Sequence, residues 1–334
     1  MEKQAPGKQR ATWRSPAFRG RLYQLLAIGL IAAAVWFLAH NTLHNMALRG
    51  IQSGFDFLSD PAGFDIGESL FTFNSGQPYW QAFLIGLSNT LRVALLGIVL
   101  TTLLGTLLGV GRFSRNALVR GVCYAYVEVF RNIPVLLQLL MWYLLFAQAL
   151  PATSEAWTLG PLFLSKGGLS FPIPVWSSAG LVWDLPVKGE FAIEHGGALT
   201  PEFLALLLGL TFYTAAFVAE VVRSGLQSVD RGQREAAVAL GLSPRQSMRL
   251  VLLPQALRVI IPPLTNQFLN LTKNSSLAVA IGYPDVVSIA NTALNQTGRA
   301  VECIAIVMAV YLCTSLATAA LMHRYNRRAA IKER

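Results

Sequence analysis

Charge is scarce in this chain. Of 334 residues only 13% are Asp, Glu, Lys or Arg, about half of the roughly 25% usual in a soluble domain. Acidic residues are the scarcer sign, 17 against 27 Lys and Arg, for a formal net charge of +10. A surface so poor in charge does not keep a globular enzyme dissolved. Disorder is excluded from the other side: 54% of the chain is hydrophobic, whereas chains that stay unfolded are polar and poor in aliphatics. Cysteine is nearly missing. Cys123, Cys303 and Cys313 form an odd set in apolar stretches, which argues against a disulfide framework and reads as small buried hydrophobes. With only four histidines and three cysteines in the chain, a metal site is not expected. The pI is near 9.9, but the basic residues flank apolar runs instead of gathering in one patch, which sets aside a nucleic-acid partner.

Long apolar runs are what the chain has in abundance. A spanning helix needs about 20 mostly apolar residues, and six candidates are present, at 22–39, 83–110, 121–150, 203–222, 259–281 and 301–323. The fifth holds Asn266, Gln267, Asn270, Thr272, Lys273, Asn274, Ser275 and Ser276, too polar to face lipid on all sides. The first has the basic flank of a signal peptide, but Trp36, Phe37 and His40 stand where small cleavage-site residues belong, so it reads as a retained anchor. Lys and Arg orient the spans. Twenty fall in the N-terminal tail (Lys3 to Arg21), the loop after the second span (Arg112, Arg115, Arg120), the loop after the fourth (Arg223 to Arg258) and the C-terminal tail (Arg324 to Arg334). The other side holds Arg49, Lys166, Lys188 and Arg299 together with Asp56, Asp60, Asp65, Glu68, Glu155, Asp184, Glu190 and Glu194. Both termini are therefore expected to be cytoplasmic. Residues 1–21 form a basic tail, 22–40 an additional N-terminal transmembrane helix, 41–82 a periplasmic loop, 83–323 the core, and 324–334 a second tail. Within the core, 151–200 is an outer insertion, with an interfacial helix expected around 157–164, and 223–258 is a cytoplasmic loop.

That loop carries the most informative pattern. It reads Glu235-Ala236-Ala237, three residues, Gly241, nine residues, then Val251-Leu252-Leu253-Pro254. Glu235, Ala236, Ala237, Ala239 and Leu240 favour a helix with small side chains. Gly241 is placed to end it in a left-handed conformation, and Ser243-Pro244 to cap and start the next. A short helix of Ala and Leu between two spans makes sense as a knob for the groove of another subunit. The spacing resembles the EAA loop of permease subunits from ATP-binding-cassette importers, with Val251 in place of the family's Ile. The resemblance extends from about residue 86 to the C-terminus. Gly86-Leu87-Ser88-Asn89-Thr90-Leu91, the run Tyr126 to Gln138, and Ala256-Leu257-Arg258 through Lys273-Asn274-Ser275-Ser276 to Ile281-Gly282 resemble the polar amino-acid subfamily. Pro201-Glu202-Phe203-Leu204-Ala205-Leu206 and Tyr213 to Glu220 resemble the Q-type subunit of general L-amino-acid importers, here with a shorter insertion.

The resemblance implies an all-α integral membrane protein of the type I ABC importer permease fold, with about six transmembrane helices, in a bacterial inner membrane. It implies that Glu235, Ala236, Ala237, Ala239, Leu240 and Gly241 dock on a dimer of ATPase subunits. It further implies a periplasmic amino-acid-binding protein and a homologous M-type permease as partners, beside membrane lipid. No Gly-x-x-x-x-Gly-Lys-Ser/Thr phosphate loop occurs here, so ATP and Mg belong to the partner ATPase and this chain is a non-catalytic subunit that binds no cofactor.

Polar groups inside a bilayer are expensive and usually functional. Glu128 and Arg131 are i,i+3 and read as an ion pair on the third span, and Glu220 with Arg223 repeats that spacing at the inner end of the fourth. Glu128, Asn132, Gln138, Glu220, Asn270, Lys273, Asn274 and Ser275 are the candidate lining of a substrate pathway, the alternative being helix–helix hydrogen bonding. Gly105 and Gly109 permit a close helix contact without naming its partner. Pro262-Pro263 reads as a bend or start near the beginning of the fifth span. The alternative function is an ion-gradient-driven secondary amino-acid transporter. It accounts for the polar fifth span and Lys273 but not for the loop, and it lacks the inverted repeat such carriers show.

Overall fold

The computed structural model describes residues 16–50, 53–177, 180–189 and 192–329. The chain divides into two units, residues 1–54 and 55–334. In the first, α1 (Pro16–Leu48) is a single helix of 33 residues with Leu25, Leu30, Trp36 and Leu38 all exposed, the surface of a helix made to be surrounded by an apolar medium.

The second unit is built on two long helices, α2 (Tyr79–Gly111) and α5 (Pro201–Gln227). Thr200 starts α5 by accepting the Phe203 N–H at 3.1 Å, with Pro201 at the first position. Gly105 and Gly109 settle where α2 and α5 meet. A Cβ on Gly105 would lie 2.6 Å from Val218 Cβ, and one on Gly109 would lie 2.7 Å from the Ala219 carbonyl oxygen. The partner of this glycine pair is thus a helix of the same chain. Buried Ala215, Ala216 and Ala219 complete the small-residue face of α5.

The third expected span is not one rod. α3 (Ala117–Asn132) and α4 (Val135–Ala149) meet at 105°. Pro134 forces this: the residue before a proline is pushed out of the helical region, and Ile133 has ψ 129°. Gln138 is buried at the break and donates to the carbonyls of Phe130 and Ile133, both at 2.9 Å. It thereby satisfies acceptors that the broken helix leaves open. Counting this pair as one, the described residues hold six candidate membrane spans, otherwise five.

The segment between α4 and α5 departs from the all-α reading. β1 (Trp157–Leu159), β2 (Leu162–Ser165), β3 (Gly168–Phe171), β4 (Ile173–Ser177), β5 (Gly180–Asp184), β6 (Val187–Lys188), β7 (Ile193–Glu194) and β8 (Gly197–Leu199) form an antiparallel sheet in the order β1-β2-β3-β8 and two hairpins, β4-β5 and β6-β7. The interfacial helix expected around 157–164 is instead the β1-β2 hairpin, pairing Trp157 with Leu164. Gly160, at φ +60°, makes the turn, and a short apolar run carries no period that tells helix from strand.

After α5 come α6 (Arg231–Ala239), α7 (Pro244–Ser247), one π-helical turn (Met248–Leu252) and α8 (Leu253–Asn274), continued by a 3-10 segment to Ile281. Pro262 and Pro263 lie inside α8, not at its start, because the helix begins at Leu253, well before the apolar run the sequence singles out. A short helix that hydropathy does not reveal, α9 (Val286–Thr297), follows. It is capped by Asp285, which accepts the Ser288 N–H at 2.8 Å, and it packs on Gly86 of α2. The last described element is α10 (Ala300–Ala329). Cys123 and Cys303 are buried, as small hydrophobes should be, while Cys313 is exposed on α10.

Replacing Gly109 by Leu should drive α2 from α5 and cost about 1–3 kcal/mol or more, read as a lower melting temperature in detergent. Gly121→Leu, at a position open to space, should leave it unchanged.

Candidate functional site

The segment between α5 and α8 folds as its sequence requires. Asp230 accepts the Gly232 N–H at 2.6 Å and starts α6. Leu240 N–H returns to the Ala236 carbonyl at 3.0 Å, Gly241 N–H to Val238 at 2.9 Å and Leu242 N–H to Ala237 at 3.1 Å. Gly241 has φ +74°, the left-handed stop expected of it. Ser243 and Gln246 exchange side-chain and backbone hydrogen bonds in a capping box, with Pro244 at the first helical position. Of the α6 residues only Ala237 is buried. Glu235, Ala236, Ala239 and Leu240 face outward, and Leu240 is 80% exposed. Gln255 of α8 donates to Gln233 of α6 at 3.2 Å, fixing the short helix to the spanning one. The outcome is a rigid two-helix corner showing an uncovered face of small and apolar side chains.

Beside this corner, three arginines converge on one carboxylate. Glu220 of α5 accepts from Arg112 at 2.6 Å, pairs with Arg223 through both oxygens, and lies 3.9 Å from Arg131. The pairing of Glu220 with Arg223 holds, but the one expected between Glu128 and Arg131 does not. Arg131 turns from its own helix to Glu220, and Glu128 makes no ion pair among the described residues. The reason is the break at Pro134: α3 ends at Asn132, so Arg131 sits at a helix terminus against α5. The cluster joins α2, α3 and α5 at the arginine-rich end.

The polar residues of α8 divide by face. Asn266, Asn270 and Lys273 are exposed together with Pro262 and Pro263, whereas Ile260, Ile261, Phe268 and Leu271 are buried. Asn274 is half-buried. Ser275 is fully buried and donates to the Thr272 carbonyl at 2.7 Å. Lys273 makes no ion pair among the described residues. On α3, Glu128 and Asn132 are exposed, and Asn132 donates to the Glu128 carbonyl at 2.6 Å. The eight residues named as a pathway lining are therefore not gathered around one cavity. Glu220 and Gln138 tie elements together, while Asn270 and Lys273 form an uncovered polar stripe.

A second polar cluster lies at the opposite end and was not foreseen. Glu68 is buried; Arg92 donates to it at 2.8 Å, and the Thr200 hydroxyl hydrogen-bonds its other oxygen. Asn89 donates to the carbonyls of Glu68 at 2.8 Å and Pro284 at 2.9 Å. Arg92 also lies over the ring of Phe203, 4.3 Å from its centroid. The chain before α2, the start of α5 and the loop before α9 are held together here. The signal that could have found it is Arg92 itself, since a charge within an apolar run demands a partner. Nearby, Asp285 is fully buried; the Tyr311 hydroxyl is 3.4 Å from it. Burial pushes the Asp285 carboxyl up to about 7, outweighing the backbone N–H groups that favour its charge.

Comparison with known proteins places these features in context. Residues 97–331 match the family model for the binding-protein-dependent transport system inner membrane component. The chain is 42% identical to the general L-amino acid transport system permease protein AapQ of Rhizobium johnstonii, over 97% of this chain and 96% of that one. It is 35% identical to the glutamate/glutamine/aspartate/asparagine transport system permease protein BztB of Rhodobacter capsulatus, over 95% of each. Among solved structures, an amino acid ABC transporter with histidines is similar at TM-score 0.56 and 28% identity, over 75% of this chain and 95% of that chain. An inward-facing MetNI methionine ABC transporter, at TM-score 0.51 and 20% identity over 75% and 97%, shares the fold.

Two outcomes follow from the clusters. Glu220→Ala leaves Arg112, Arg131 and Arg223 facing one another and should cost about 1–3 kcal/mol, given their partial exposure, read as a lower melting temperature that Glu220→Asp partly restores. For Asp285 the folded protein holds its proton to about pH 7, the unfolded chain only to about pH 4. Stability should therefore fall as pH rises from about 4 to 7 and level off above. Asp285→Asn should flatten this part of the melting-temperature profile relative to the parent protein.

Proposed function

Because the chain belongs to the binding-protein-dependent transport system inner membrane component family and has the type I ABC importer permease fold, we propose that it is the permease subunit of an ATP-driven importer of polar L-amino acids, coupled to a separate ATPase through α6. The observation that carries the reading is the corner made by α6, Gly241 and Ser243. Glu235, Ala236, Ala239 and Leu240 are presented to a partner, while Ala237 and Gly241 fix the helix to its own chain. A short helix can transmit a push only if it is held, and the Gln233–Gln255 contact and the capping box hold it.

The mechanism assembles from these parts. A loaded amino-acid-binding protein docks on the acidic periplasmic side, and ATP with Mg closes a dimer of ATPase subunits on the cytoplasmic side. That closure moves α6. The displacement passes through α7 and the π-helical turn into α8, whose Pro262 and Pro263 lack the N–H groups a continuous helix would use. α8 and α5 then rock, and access alternates from outside to inside. No covalent chemistry falls to this subunit. Asn270, Lys273 and Asn274 of α8 line the substrate path. An amino acid's carboxylate and ammonium both need partners once desolvated, and the stripe supplies a cation and several amides. A single chain leaves the stripe open, which supports a second, homologous M-type permease facing it. The relatives AapQ and BztB, named for general L-amino acids and for glutamate, glutamine, aspartate and asparagine, support the substrate class. The basic residues at the ends of the spans support an inner-membrane protein with both termini cytoplasmic. None of the relatives supports the ion-gradient-driven alternative.

The test is ATPase activity of the reconstituted complex, with binding protein and single L-amino acids. Glu235→Arg should lower amino-acid-stimulated hydrolysis and uptake at least about tenfold, the effect of ~1.4 kcal/mol of lost docking, with assembly of the two permeases unchanged. Uptake that needs no ATP, or survives the substitution, overturns the reading.

A further inference from the structure

Where Gly97 of α2 packs on Leu271 of α8, the two helices are in contact. From there toward the arginine-rich end a groove of about 920 Å³ lies between them, with Val222 and Leu226 of α5 also lining it. Its walls are apolar apart from two threonines on α2 and Arg234 of α6. One threonine, Thr102, turns its hydroxyl back to the Ile98 carbonyl at 2.7 Å, which leaves Thr106 as the polar group of that wall. Arg234 is exposed and makes no hydrogen bond or ion pair among the described residues. A mostly apolar trough with one guanidinium, free of ion pairs among the described residues, at its basic end is complementary to an amphiphile with an anionic head.

The faces of α8 say which side of the protein the groove opens on. Leu257, Ile260 and Leu264 line it. At about 100° per residue, Asn266 and Asn270 are turned by about 200° and 240° from Leu264. The groove thus lies on the side of α8 opposite the polar stripe, away from any aqueous path. Its α2 wall, with Val99 and Leu103, continues into an exposed helix face that is apolar except for Thr106, the kind of surface that meets lipid. A groove on that side, unlike one on the stripe side, is open to acyl chains.

We infer that this groove is a binding site for an anionic phospholipid of the cytoplasmic leaflet, its acyl chain laid between α2 and α8 and its phosphate held by Arg234. The leaflet rests on the orientation proposed above; the ligand chemistry does not. Arg234 offers the bidentate donor geometry that phosphate accepts, and anionic headgroups collect around basic residues at the ends of spans. Since Arg234 adjoins Glu235 on α6, a bound lipid would also anchor the coupling helix to the membrane.

The experiment is native mass spectrometry of the complete transporter complex released from nanodiscs of phosphatidylcholine containing a minor share of phosphatidylglycerol. The parent complex should retain phosphatidylglycerol in preference to phosphatidylcholine by about fivefold, the worth of one arginine near a charged membrane surface. Arg234→Gln should remove the preference. Leu103→Trp, which fills the trough, should remove retention of both lipids, and Val99→Trp reads the same trough if Leu103→Trp fails to assemble. Equal retention of the two lipids by the parent, or a preference that survives both substitutions, overturns the site. So does a high-yield disulfide between Leu103→Cys and a cysteine placed in α1, which would make the first helix of the chain the occupant. Lipid retention is read without transport, so a complex that imports amino acids normally yet shows no preference removes the lipid site and leaves the importer reading standing.

Discussion

The close approach of α2 and α5 is the constraint on which the rest of the second unit depends. Lipid offers helices no hydrophobic reason to associate, so two spans stay together only where their surfaces let backbone approach backbone. Gly105 and Gly109 against Val218, Ala215 and Ala219 make that approach. α5 is then the central element, with α2, α3, α4 and α8 all packed against it. The glycine pair also fixes where charge can be neutralised. Arg112 follows α2 directly, and it meets Glu220 of α5 because the two helices run side by side down to Gly109. Packing of small residues thus brings the carboxylate and its first arginine together, and the broken α3 delivers a second.

The same economy governs the other end. Glu68 and Arg92 are each costly away from water, and together with Thr200 and Asn89 they satisfy one another. The arrangement gives up little stability relative to an apolar core, yet it specifies which loop lies over which helix start. A helix pair held by glycines can slide; a carboxylate held by Arg92 on one oxygen and Thr200 on the other cannot be satisfied in a slipped register.

The spans were legible because hydropathy is a property of composition, and a run of twenty apolar residues has few other uses. The corner of α6 and α7 was legible residue by residue, since caps and left-handed stops are local: Gly241, Ser243 and Pro244 act within a few residues of themselves. What escaped was set by tertiary structure or by competing local signals. The 105° break at Pro134 needed the buried Gln138 to answer the opened carbonyls, and a proline alone does not distinguish a kink from a break. The β1-β2 hairpin was hidden because a short apolar run carries no usable period. α9 was hidden because twelve residues between two left-handed glycines fall below the length at which hydropathy speaks. Arg131 was assigned to its nearest acid in sequence, and the nearest acid in space lies on another helix.

α8 brings these threads to one point. One side is apolar and buried, the other carries Asn266, Asn270 and Lys273 into the open, and both belong to a segment continuous with the corner that holds α6. In a bilayer an uncovered amide and ammonium have two resolutions, water or another chain, because hydrocarbon supplies no partner. Either resolution keeps the polar face turned away from lipid. The helix cannot rotate to hide that face without exposing it to lipid or burying it in the α5 core, so its rotation about its own axis is restricted by the price of its own side chains. Motions that remain cheap are tilting and sliding along the axis, and those are what a push on α6, transmitted through the π-helical turn, would produce. A span too polar to face lipid on all sides is for that reason held in its rotational setting while it tilts or slides.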